Sequence, residues 1–153
     1  MARGARQSSK SGFRVITGPV SKTFPSRVRV EPGELALTAA AIADEKHASA
    51  VVVIDIREIS PFCSYFVIAT AANARLMDTV ASESLLRIKE TFGLSGTIEG
   101  AGSEEWRLID YGSVAIHLFS PDGRRFYQIE KLWSDAPRVE NAPRGGQAEA
   151  VTA

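Results

Sequence analysis

Two runs of branched and aromatic apolar residues, AVVVIDI at 50–56 and SYFVIAT at 64–70, restrict the possible folds of this chain more than any other feature. A strand wetted on one face alternates apolar with polar residues, and neither run does. Each reads as a strand buried on both sides, so helices must supply the covering layers. Those helices lie in the flanking sequence. PGELALTAAAIADEKHA sets Leu35, Ala39, Ile42 and Ala43 at helical spacing among strong helix formers. Further along, Leu76, Val80, Ser84, Ile88 and Phe92 fall four apart, and Met77, Ala81 and Leu85 widen their stripe. Asn73 is placed to cap the start of that helix and Gly93 to end it.

The loop GLSGTIEGAG has room for one short strand. EWRLIDY and VAIHLF then read as two strands meeting at 110–113, where Gly112 supplies the turn. SPDGRR reads as a turn, and RFYQIEKLW as a last helix that packs Phe126, Ile129 and Trp133 onto the sheet. Helices interleaved with buried strands predict a single α/β domain, a mixed β-sheet flanked by helices, over residues 34–137. A chain of 153 residues suits one domain and needs neither a metal nor a disulfide as a staple. The lone Cys63 has no internal partner for a disulfide, which fits a reducing compartment. No apolar run approaches the ~20 residues that cross a bilayer, and the N-terminus lacks the apolar stretch of a secretory signal, so a cytoplasmic location is expected.

The charges are unevenly distributed. Residues 1–30 hold seven Arg and Lys and no acid, whereas residues 34–137 hold nine basic against fifteen acidic, a balance of −6. Such a domain repels phosphate backbones and attracts basic partners. Residues 1–33 are expected to form a flexible basic extension, and 138–153 a disordered tail. The Arg- and Ser-rich leader also has the composition of an organellar transit peptide, which is the alternative location.

A catalytic reading does not find its parts. The phosphate loop, the dinucleotide glycine fingerprint and the hydrolase elbow are all missing. His47, Cys63 and His117 stand singly in different elements, so no metal and no cofactor is expected. Gly102–Ser103 followed by Asp110 suggests nucleotidyl transfer, but that chemistry needs two carboxylates one residue apart on one strand face. Asp55 and Glu58 are three apart. His117 alternates with Ile116 and Leu118 and so should lie beside Ala115 and Phe119, either as a structural histidine or in a site.

The quoted segments, taken in order, resemble a known family. VVVIDI, YFVIAT, NAR, WRLIDYG, VAIHLF, RRFYQIEKLW and DAP are similar to the ribosomal silencing factor family, also called Iojap or RsfS, from about Leu35 to Pro137. The resemblance implies a nucleotidyltransferase-like α/β fold without catalysis and a translational repressor rather than an enzyme. It also implies a partner, ribosomal protein fourteen on the large subunit, with joining of the small subunit blocked. A homodimer of the free protein is implied as well. Three positions depart from the family pattern: Ser64 and Ser113 replace acids, and Leu76 replaces a Gln after the retained Arg75.

Strand alternation puts Trp106, Leu108 and Asp110 on one side and Arg107, Ile109 and Tyr111 on the other. With the resemblance, the expected partner-binding residues are Trp106, Leu108, Asp110, Tyr111, His117, Arg125, Tyr127 and Glu130. Trp106 reads equally as a core residue, Asp110 as the cap of an Asx turn, and Arg124 with Arg125 as a solvated pair. Tyr111 is expected to be exposed at the turn. The rival readings are a nucleotidyltransferase-like enzyme and an RNA-binding module acting through the basic arm.

Overall fold

Pro32 opens the first helix, α1 (Pro32–Glu45), where its missing N–H is no loss because the first turn offers that group no partner. The protein's structure, a computed structural model, describes residues 29–140 and 142. Most of the expected basic extension and most of the expected tail therefore lie outside the described residues. α1 buries Leu35, Ala36, Ala39, Ala40, Ile42 and Ala43, and its alanines let the backbone lie close against the sheet. The two branched apolar runs form β1 (Ser49–Asp55) and β2 (Tyr65–Thr70). Helix α2 (Ala74–Phe92) follows, with Asn73 Oδ1 accepting from the Leu76 N–H at 2.8 Å and Gly93 ending it at φ 74°. Both caps fall where the sequence put them.

Three strands complete the sheet: β3 (Thr97–Glu99), β4 (Trp106–Asp110) and β5 (Val114–Phe119). The order is β1-β2-β5-β4-β3, with β2 and β5 parallel at the centre and every other pair antiparallel. This is the mixed sheet the sequence predicts. The central position of β5 explains why all six of its residues are buried. Ile116 and Leu118 face the helices, in rows with Val67 and Ala69 of β2 and Ile109 and Arg107 of β4. Arg107 is a buried cation on that face. It pairs with Asp78 of α2 and donates Nε and Nη2 to the Ser103 carbonyl at 3.2 and 3.1 Å, so its charge and donors are matched.

The second face of the sheet is also a core. Ile54, Ile56, Ile68, Phe119 and Ala136 pack together there, with Val52, Cys63, Phe66, Trp106, Ile129 and Trp133 around them. None of these residues comes from α1 or α2, so the segment after β5 supplies the cover. That segment departs from the sequence reading in two ways. SPDGRR is not a turn but the start of α3 (Pro121–Tyr127). Ser120 Oγ accepts from the Gly123 N–H at 2.9 Å, Pro121 fills the first position, and Asp122 lies in the first turn. Gly123 is required there, because a Cβ would sit 2.3 Å from the Glu105 carbonyl oxygen.

The second departure is the break in the last helix. Gln128 adopts φ 47°, ψ 46°, a left-handed conformation that separates α3 from α4 (Ile129–Leu132). The two short helices therefore present different sides to the sheet. Trp133 packs edge-on to Phe66 at 5.2 Å, as expected, but Phe126 is 78% exposed rather than packed. The chain also stays on the sheet past the expected boundary at Pro137: Arg138 bridges Ile54, and the Val139 N–H donates to the Val53 carbonyl at 2.8 Å. Residues 138 and 139 belong to the folded unit because the outer edge of β1 offers them backbone partners.

Candidate partner-binding site

Register fixes what meets on the second face. Val52, Ile68, His117 and Leu108 lie side by side, and Thr70, Phe119 and Trp106 form the next row. Above Trp106, His117 and Phe119 the α3–α4 segment leaves an apolar recess of about 300 Å³, closed by Tyr127, Ile129 and Leu132. Its rim is unusually apolar for a surface. Leu132 is 78% exposed and Tyr127 50% exposed, and Phe126 packs edge-on to Tyr127 at 4.9 Å. Apolar aromatic rims around a desolvated pocket have the composition of protein-binding hot spots.

His117 forms part of the floor. It is 8% exposed, stacks parallel to Phe119 at 6.2 Å and meets Phe66 edge-on at 4.8 Å. Trp106 Nε1–H points at His117 Nδ1 from 3.4 Å. An indole N–H can only donate, so Nδ1 carries the lone pair and the neutral ring holds its proton on Nε2. Burial pulls the imidazole pKa down from 6.5 to about 4, against a weaker opposing pull from Asp110. The unfolded chain therefore takes up this proton first. Stability that is fully present above pH 6.5 is lost as the pH falls to 4, and that gap corresponds to about 3 kcal/mol. Urea midpoints at pH 7 and pH 4.5 should separate by less in His117→Gln than in the parent chain, and equal separations would contradict the assignment.

The expected site residues fall into distinct places. Trp106, Leu108, His117 and Tyr127 come together on the second face at or beside the recess. Asp110 is exposed on the same face at the hairpin, where its Oδ1 accepts from the Gly112 N–H at 2.8 Å, the Asx turn allowed for in the sequence. Glu130 sits behind the recess. Its carboxylate accepts from Arg124 Nε at 2.8 Å and faces Arg138 at 3.5 Å, and the Arg124 hydrogen bond holds its pKa below the usual range. Arg125 stands apart, exposed and paired with Asp122.

Tyr111 is a correction. Its ring lies against Gly96 on the helix side, and its hydroxyl is buried without a partner among the described residues. Burial pushes its pKa up to about 12. It follows Asp110 across the pleat, so its side chain is carried away from the recess, not into solvent at the turn.

Sequence reasoning missed Leu132, whose exposure nothing in the pattern EKLW signals. It also misplaced Arg124, which is not solvated. Arg124 donates Nη1 to Thr70 Oγ1 at 2.6 Å and Nε to Glu130, tying α3 and α4 to the end of β2. The two serines that depart from the family pattern are neighbours, for the Ser64 N–H donates to the Ser113 carbonyl at 2.7 Å. Among the described residues no group of three His, Cys, Asp or Glu is arranged to hold a metal, and no helix is long and apolar enough to cross a membrane. The carboxylate nearest to the nucleotidyltransferase pattern is already engaged: Arg57 holds Asp55 Oδ1 and Oδ2 at 2.9 and 2.7 Å.

These features define an α/β sandwich with one face sealed by helices and the other left partly open as an apolar recess. The family model for the ribosomal silencing factor during starvation matches residues 30–153. The ribosomal silencing factor RsfS of Halalkalibacterium halodurans is 35% identical over 108 residues, 70% of this chain and 92% of the relative. That of Bacillus subtilis is 34% identical over 102 residues, 67% of this chain and 86% of the relative. A crystal structure of a Chromobacterium violaceum protein superposes with a TM-score of 0.66 at 26% identity, covering 69% of this chain and 88% of that one. The chain belongs to the ribosomal silencing factor (RsfS, Iojap) family, which assigns it a ribosome-associated role in silencing translation.

Proposed function

We propose that the chain binds the large ribosomal subunit through ribosomal protein fourteen and keeps the small subunit from joining by its bulk alone. The observation that carries this reading is the open recess, where Leu132, Phe126 and Tyr127 are exposed around the buried floor of Trp106, His117 and Phe119. An exposed apolar rim is costly in water and is relieved when a partner covers it. The balance of −6 over residues 34–137 suits a basic ribosomal protein and speeds encounter at low salt. Trp106 and Leu132 anchor the contact, and Asp110 and Arg125 lie at its margin. No bond is made or broken, so the protein acts stoichiometrically and without a cofactor. A second copy of the chain could cover the same rim, and such a homodimer would have to part before docking. The site of action is the cytoplasm, where the subunits meet.

The rival RNA-binding reading places the contact in the basic arm. Co-sedimentation with separated subunits distinguishes the two when the chain lacking residues 1–28 is compared with the full chain. Both should sediment with the large subunit, with affinities within about threefold, since the recess is intact in each. Binding that vanishes with the arm, or that follows the small subunit, would contradict the proposal.

A further inference from the structure

The outer edge of β1 is the other unusual surface. β2 pairs with one side of β1, which leaves a row of backbone donors and acceptors on the far side. Such an edge invites another strand unless something covers it. Here the cover is the chain after α4. The Asp55 N–H donates to the Pro137 carbonyl at 2.9 Å, and the Val139 N–H donates to the Val53 carbonyl at 2.8 Å, on either side of the antiparallel bridge between Ile54 and Arg138.

Three details fit a strand rather than a passing loop. Pro137 contributes only its carbonyl, the part of a proline that a ladder can use at a strand's first residue. Beside this pairing lies a groove of about 320 Å³, with residues 51–53 on one side and residues 138–140 with Ala142 on the other. Ala142 is only 8% exposed in an otherwise polar stretch. A charge fixes the register as well, because Arg138 faces Glu130 at 3.5 Å.

We propose that the outer edge of β1 is a strand-accepting site, occupied in cis by the chain's own segment 137–139. The ligand class is an extended peptide with a branched apolar residue whose free N–H lies opposite Val53, as Val139 does, and a cation opposite Ile54 to meet Glu130. By holding Arg138 against Glu130, the same segment steadies α4, one wall of the recess.

The test uses a chain ending at Ala136, which takes the Pro137 carbonyl away from the Asp55 N–H, and a synthetic peptide spanning residues 137–147. In the truncated chain the Asp55 amide should exchange with deuterium about tenfold faster than in the full chain. The peptide should restore the slow exchange saturably, and the same peptide carrying Val139→Pro, which has no N–H for Val53, should not. Val139→Pro in the full chain should speed exchange at Asp55 in the same direction, which keeps the test decisive if the truncated chain folds poorly. Unchanged exchange in both variants overturns the proposal. So does fast exchange that no peptide reverses, or equal protection by the parent and proline peptides.

Discussion

Phe119→Ala should lower unfolding stability by about 3–5 kcal/mol, read from urea denaturation at pH 7. Phe119 ends the central strand and is fully buried, between Thr70 of β2 and Trp106 of β4. Its ring lies parallel to His117 and 5.8 Å from Tyr127. Removing it opens a cavity beneath α3 and α4, two short helices that have little stability of their own and rely on this floor. A typical domain is stable by roughly 5–15 kcal/mol, so the variant should be marginal at physiological temperature. A loss below about 1 kcal/mol would mean that the second face is not a true core.

The second large effect is on binding. Trp106→Ala should cost on the order of 2 kcal/mol in affinity for the large subunit, about thirtyfold, if Trp106 anchors the contact. Trp106 also holds the His117 tautomer, so part of that loss is structural. Leu132→Asp separates the two roles. Leu132 is largely exposed, and the substitution should change stability by no more than about 0.5 kcal/mol. It places a carboxylate where the partner would have to strip its water, which should weaken binding by about 3 kcal/mol or more. A folded Leu132→Asp chain that binds as well as the parent would remove the recess from the account.

The sandwich was legible because its signals are local and repeated. The two unbroken apolar runs demanded cover on both faces, and the Asn73 and Gly93 caps marked α2 to the residue. The alternation in WRLID placed Trp106, Leu108 and Asp110 on one face correctly, and the alternation in VAIHLF put His117 on the floor. The C-terminal third was harder because its signals compete. Ser120-Pro121-Asp122 serves equally as a turn and as a helix cap, and the contact with Glu105 that decides between them comes from the loop that leads into β4, fifteen residues back in the chain. The break at Gln128 has no marker, since glutamine is an ordinary helix former. Consequently the exposure of Phe126 and Leu132, and the burial of Arg124, depend on a local backbone reversal that periodicity cannot see. Tyr111 was misread for a related reason: a residue beside a turn is commonly wet, but here Gly96 leaves room for its ring.

Family membership fixes the setting, the ribosome, and the recess offers a means of docking there. The departures at Ser64 and Ser113 lie together at the end of the sheet beyond Asp110, away from Leu132, so they should tune affinity more than they select the partner.

The most direct measurement is light scattering during the mixing of purified large and small subunits, after the large subunit has been saturated with this protein. The rise in scattering that marks joining should be suppressed in proportion to occupancy and restored by Leu132→Asp. Full joining at saturation, with the protein still bound to the large subunit, would contradict occlusion.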